Sequence, residues 1–175
     1  QDLLPIGHRI HLEFLTQHTW HTTEVFESIE KCDPAASILL VANYSVLDAT
    51  AAPAGKNVIS ITGTVGDDCF DRWGWAERGT YRDARDAVAR TFIERVERVL
   101  PGLSDHIEVI EVAAPETLRA FTGNPRGTIY GWHQTPDQSL LERPGQEVPG
   151  MANLFLAGAW TFPGCGQSAV IQSGV

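Results

Sequence analysis

Polar and apolar positions alternate along residues 8–15. Ile10, Leu12 and Phe14 fall on one side, the pattern of a half-buried strand. Residues 22–31 change period: Val25, Phe26 and Ile29 share one helical face behind a threonine-led start resembling a capping box, and Asp33-Pro34 ends the run. Residues 37–42 are continuously apolar between turn residues and predict a buried strand. Residues 43–56, with Asp48, Pro53 and Gly55, predict a loop. Residues 57–65 are β-branched at Val58, Ile59, Ile61, Thr62, Thr64 and Val65 and predict a strand.

Residues 66–79 are polar, carry Trp73 and Trp75, and read as a loop. Residues 80–100 give the clearest helix. Tyr81, Ala84, Val88, Phe92, Val96 and Leu100 make one apolar stripe, with Arg and Glu expected opposite and Pro101-Gly102 at the end. Alternation at Ile107, Val109, Ile110 and Val112 predicts a strand over 106–112. Pro115 opens a short helix over 115–122 and Gly123 lies past its end. Residues 124–150 read as loop with a short strand at 128–132. Residues 153–157 read as an apolar strand that leads through a glycine-rich stretch into a helix near Ser168. The class expected is α+β: a mostly antiparallel sheet with flanking helices.

Composition narrows the function classes. The chain has 175 residues, 43% of them apolar and 20% charged, which is globular rather than disordered. A net charge of −9 repels phosphate backbones, so no nucleic-acid partner is expected. The longest apolar run, residues 35–42, is far short of the roughly 18 needed to span a membrane. Gln1-Asp2-Leu3-Leu4-Pro5 shows no basic region followed by an apolar one, so no leader is expected. Cys32, Cys69 and Cys165 are odd in number and widely spaced, which argues against a disulfide framework and for a reducing compartment. The chain starts without Met and stops in the first turns of a helix. It reads as a piece of a longer polypeptide.

The stretch from Gly158 to Gly166 follows an apolar strand and precedes a helix. It fits either a cofactor site, where amides meet an electron-rich group and glycines admit a planar ligand, or a tight turn. It is neither a Walker loop nor G-x-G-x-x-G. His18 and His21 are a metal pair lacking a third ligand, and no metal is expected. Ser168 with His133 lacks the Gly-x-Ser-x-Gly elbow of a hydrolase. Cys165 reads as a small residue chosen for fit, and Asp67, Asp68 and Asp71 as a solvated acidic loop. Trp73, Trp75, Tyr130 and Trp132 suit an apolar cleft or core packing equally well.

Residues 153–174, Asn-Leu-Phe-Leu-Ala-Gly-Ala-Trp-Thr-Phe-Pro-Gly-Cys-Gly-Gln-Ser-Ala-Val-Ile-Gln-Ser-Gly, resemble the C-terminal flavin-contacting signature of the phytoene desaturase family. That family holds carotenoid desaturases, carotenoid isomerases and retinol saturases, kin of the flavin-containing amine oxidases. Residues 114–132 form a second similar block, and Ser45-Val46-Leu47-Asp48 through Ala52-Pro53-Ala54-Gly55-Lys56 a looser third.

The resemblance implies that residues 1–150 are part of a substrate-binding domain and 151–175 a returning FAD-contacting segment. Gly158, Ala159 and Trp160 would then border FAD, with Gly158 and Ala159 passing its pyrophosphate and ribityl chain. Pro163, Gly164 and Gly166 would shape the turn beside the isoalloxazine. Gln167, Ser168, Ala169 and Val170 would present amides to the flavin N1/O2 edge, where reduced flavin carries negative charge. Asn124, Tyr130 and Trp132 would lie near an apolar polyene substrate. No catalytic acid or base is nominated. The implied chemistry is hydride transfer with flavin, in a full-length protein that supplies the N-terminal FAD-binding half; this chain alone is expected to be inactive and without FAD. Strand 153–157 would lack its neighbours and be an exposed edge, repacked, or paired with a second copy. The expected location is cytoplasmic, with peripheral membrane contact open. The competing reading is a non-catalytic ligand- or partner-binding module without flavin.

Overall fold

The computed structural model describes residues 12–15, 21–66, 68–74, 78–132 and 143–175. Two compact units emerge, residues 1–116 and 117–175. The class is α+β, as expected.

In the first unit, β1 (Leu12–Leu15), β2 (Leu39–Asn43) and β3 (Ile59–Gly63) form an antiparallel sheet in the order β1-β2-β3. Leu15 stands opposite Leu39, and Val41 opposite Ile61. Central β2 is the continuously apolar run. Both neighbours and both faces exclude water there, so Leu39, Val41, Ala42 and Asn43 are all buried. Leu39 and Val41, two residues apart, share one face. Together with Val96, Leu100 and Leu103 they form a core flanked by Leu15, Ile59, Ile61, Phe92 and Ile107. Residues 8–11 of the expected first strand lie outside the described residues.

Helix α1 (Thr22–Glu30) begins at His21 without a side-chain cap, so the capping-box reading does not hold. The expected loop at 66–79 contains a short helix, α2 (Cys69–Arg72). Cys32 and Cys69 are joined by a disulfide across 37 residues, Cα atoms 5.4 Å apart. This overturns the parity argument: three cysteines make one bridge and one free thiol, Cys165. The Gly66 amide also donates to Ile29 O at 3.0 Å, so the end of α1 and the approach to α2 meet through backbone as well.

Helix α3 (Arg78–Glu97) carries the expected stripe, with Tyr81 and Val96 fully buried. Arg95 departs from the charged outer face: it is 7% exposed and its Nη1 donates to Pro34 O at 2.7 Å. Burial pushes its pKa down. Tyr81 accepts from the Glu116 amide at 3.0 Å, and burial pushes its phenol up.

The strand expected at 106–112 does not form. Residues 104–106 make a 3-10 turn, and residues 107–114 run on without ladder partners, with Val109 and Ile110 exposed. Alternation supplies a two-faced segment, but pairing needs a neighbour with matching free backbone.

Helix α4 (Pro115–Thr122) matches its expectation. The strand expected at 128–132 is instead a series of bends after a 3-10 turn at Pro125–Gly127. The strand expected at 153–157 reduces to one antiparallel bridge, Phe155 with Glu147, while Leu154, Phe155 and Leu156 stay exposed. The last helix, α5 (Gln167–Gln172), starts where the sequence placed it. The division expected after residue 150 falls inside the second unit.

Candidate functional site

The glycine-rich stretch folds back on itself within the second unit. Thr161, 2% exposed, donates its amide to Gly158 O at 3.3 Å and its hydroxyl to the same oxygen at 3.2 Å. The Gly158 amide is already committed to Ser173 Oγ at 2.7 Å, and that hydroxyl donates onward to Val170 O. Gly158 therefore offers a ligand its open Cα face, not its N–H. The Phe162–Pro163 peptide is cis.

Two further segments close on this turn. Phe162 donates its amide to Pro144 O at 2.8 Å, and Gln146 Nε2 donates to Phe162 O at 3.3 Å. Arg143 Nη1 donates to Ala159 O at 3.0 Å. From the other segment, Gly131 packs so tightly that a Cβ there would sit 2.5 Å from Ala159 O. Any larger residue would drive the two backbones apart. Next to it Trp132 meets Trp160, ring centroids 4.8 Å apart and planes at 87°. The aromatic Trp132, nominated for substrate, thus touches a residue nominated for cofactor.

The remaining nominated residues are placed as follows. Asn124 Nδ2 donates to Thr128 O at 3.0 Å, which shapes the loop carrying Tyr130 and Trp132. Both of those rings are about half exposed. Pro163 is half-buried, Gly164 buried and Gly166 exposed. In α5, Gln167, Ser168 and Val170 are exposed and Ala169 is half-buried. The Val170 amide donates to Gly166 O, so the amides of Gln167, Ser168 and Ala169 precede the first helical bond.

Arg143 is the residue that sequence reasoning missed. It is 6% exposed and lies under a turn that itself carries no charged side chain. A lone arginine in a Pro-Gly loop gives no periodic signal. Among the described residues no three His, Cys, Asp or Glu side chains gather as a metal site, and no helix is long and apolar enough to cross a membrane. His18, His133, Asp67 and Trp75 lie outside the described residues. Among the described residues, the turn and the segments packed on it present backbone, aromatic edges and one buried cation.

The chain is 30% identical over 163 residues to prolycopene isomerase 2, chloroplastic, of an Oncidium hybrid cultivar, covering 93% of this chain and 26% of that protein. It is 31% identical over 155 residues to the neurosporene-forming phytoene desaturase of Rhodobacter capsulatus, covering 88% and 28%. The chain is a relative of the carotenoid desaturases and isomerases. A more distant similarity, 26% over 129 residues, is to all-trans-retinol 13,14-reductase of Danio rerio, covering 69% of this chain and 21% of that protein. The chain spans about a quarter of the length of the curated relatives it matches. No family model matches it.

Proposed function

We propose that the chain is the C-terminal part of an FAD-dependent oxidoreductase that desaturates, saturates or isomerises a carotenoid- or retinoid-like polyene. One observation carries the reading. The loop ending at Trp132 and the turn at 158–166 belong to separate sequence blocks that resemble the substrate and flavin sides of one family, and they pack together through Gly131–Ala159 and Trp132–Trp160.

In this reading residues 1–150 belong to the substrate-binding domain and 151–175 to the FAD-contacting segment. The residues present fit a flavin in kind: a backbone turn without charged side chains, aromatic edges, and amides that precede the first helical bond of α5. When bound, the flavin supplies hydride exchange with the polyene. Gly158 and Ala159 would pass its pyrophosphate and ribityl chain, Trp160 would border the cofactor, and Pro163, Gly164 and Gly166 would shape the turn beside its ring. Gln167, Ser168, Ala169 and Val170 line the edge where reduced flavin is negative. Asn124, Tyr130 and Trp132 border the apolar substrate. The rest of the FAD site comes from polypeptide beyond these 175 residues. A second copy at the exposed 153–157 segment and peripheral membrane contact belong to the same reading, whereas the Cys32–Cys69 disulfide runs against the reducing, cytoplasmic location expected from the sequence.

The test is visible absorbance in the flavin bands after FAD addition and desalting. It compares the 175-residue chain with the longest native polypeptide that carries it. The longer protein should retain one flavin per chain and the 175-residue chain none. A longer protein that retains no flavin would overturn the proposal in favour of a flavin-free binding module.

A further inference from the structure

Arg143 is a buried cation with no counter-charge among the described residues. Its Nη2 is closed off from solvent and has no hydrogen-bond partner. Among the described residues no carboxylate forms an ion pair with it. Its guanidinium lies along the underside of the turn. Nη1 takes Ala159 O, and a Cβ at Gly164 would stand 3.0 Å from Cζ and Nε and 3.3 Å from Nη1. Gly164 has φ +116°, so glycine is required there both for its conformation and for the guanidinium beneath it. The bonds between Phe162 and Pro144, and between Gln146 and Phe162, fix the same two segments on either side.

Isolating a cation from water is strongly unfavourable. A neutral side chain of similar length would fill the space and hold the Ala159 carbonyl without that cost. The arrangement gains a purpose when negative charge lies on the other side of the thin backbone layer, where low dielectric lets the attraction act.

We propose that Arg143 is a positioning residue that holds residues 159–164 in shape for an anionic, phosphate-bearing ligand, and that its charge favours that anion through the turn. The inference rests on the FAD reading above, which makes the ligand the diphosphate of the dinucleotide.

The experiment uses the longest native polypeptide carrying this chain, with FAD as the probe. Equilibrium dialysis gives the Kd of the wild type, R143K and R143Q, and circular dichroism gives each thermal midpoint. R143K should bind FAD within about threefold of wild type, whereas R143Q should bind about tenfold or more weakly, the scale of losing one charge-assisted contact. Rescue by lysine is the readout that a purely space-filling role would not produce. Equal losses in R143K and R143Q would overturn the inference, as would no loss in either. Should R143Q fail to fold, Gly164→Ala takes its place. It keeps the charge but pushes the guanidinium off Ala159, and should bind FAD more weakly than R143K; equal binding would overturn the inference. Wild type that binds no FAD would overturn the FAD reading and this inference with it. Wild type that binds FAD beside indifferent variants would overturn this inference alone.

Discussion

Trp132 and Trp160 meet edge to face, with centroids 4.8 Å apart. One ring sets its positive edge on the negative face of the other, the arrangement that contributes beyond plain burial. A double-mutant cycle with Trp132→Ala and Trp160→Ala, followed by urea unfolding, should give a coupling of about 0.5–1.5 kcal/mol. Zero coupling would mean that the loop and the turn do not share this contact in solution.

The disulfide predicts a thiol count. Under denaturing, non-reducing conditions one cysteine per chain, Cys165, should alkylate, and all three should after reduction. Paired replacement by serine, Cys32→Ser with Cys69→Ser, should lower unfolding stability by about 2–4 kcal/mol. Mass spectrometry after alkylation reads the first, and denaturant titration the second. Three reactive thiols before reduction would rule the bridge out.

Arg95 should matter to the first unit as a buried donor. Arg95→Met removes the shorter of two donors to Pro34 O and leaves that carbonyl only the longer bond from Ser37 Oγ at 3.4 Å. The expected loss is about 1–3 kcal/mol in denaturant unfolding. Exposed Arg82 on the same helix should change stability by less than about 0.5 kcal/mol when made alanine.

What the sequence made legible follows from range. Helices α1, α3, α4 and α5 came out near their ends because their bonds are local and their stripes or breakers lie within one window. Strand β2 was legible because a central strand is apolar on both faces. Segments 106–112 and 153–157 carry equally good strand composition, yet among the described residues the first joins no ladder and the second makes a single bridge. Pairing is a property of two segments, and no window shows the second one. Arg95 did have a signal: it sits three residues after Phe92 and seven after Val88, inside the apolar stripe. Arg143 and the Cys32–Cys69 bridge had none, since each depends on chain that is distant in sequence.

The end of α3 carries a pH dependence. Glu97 accepts from the Gly102 amide at 2.5 Å, the Ser104 amide at 2.7 Å and Ser104 Oγ at 2.8 Å, closing the turn after the helix. The Ser104 bonds, backbone first, and then the Gly102 amide hold its carboxyl below the usual range. A folded-state pKa below the unfolded one means that the carboxylate stabilises above the unfolded value, about 4.3. That contribution is lost as pH falls below this value and through the folded pKa. Glu97→Gln should therefore unfold at lower urea than wild type at pH 7, because three donors lose a charged acceptor. The gap between the two proteins should close as pH is lowered from about 4.3. Urea midpoints of both proteins, taken from pH 7 downward, measure it. A gap that stays constant into strong acid would show that the donors of Gly102 and Ser104 do not depend on the charge of Glu97.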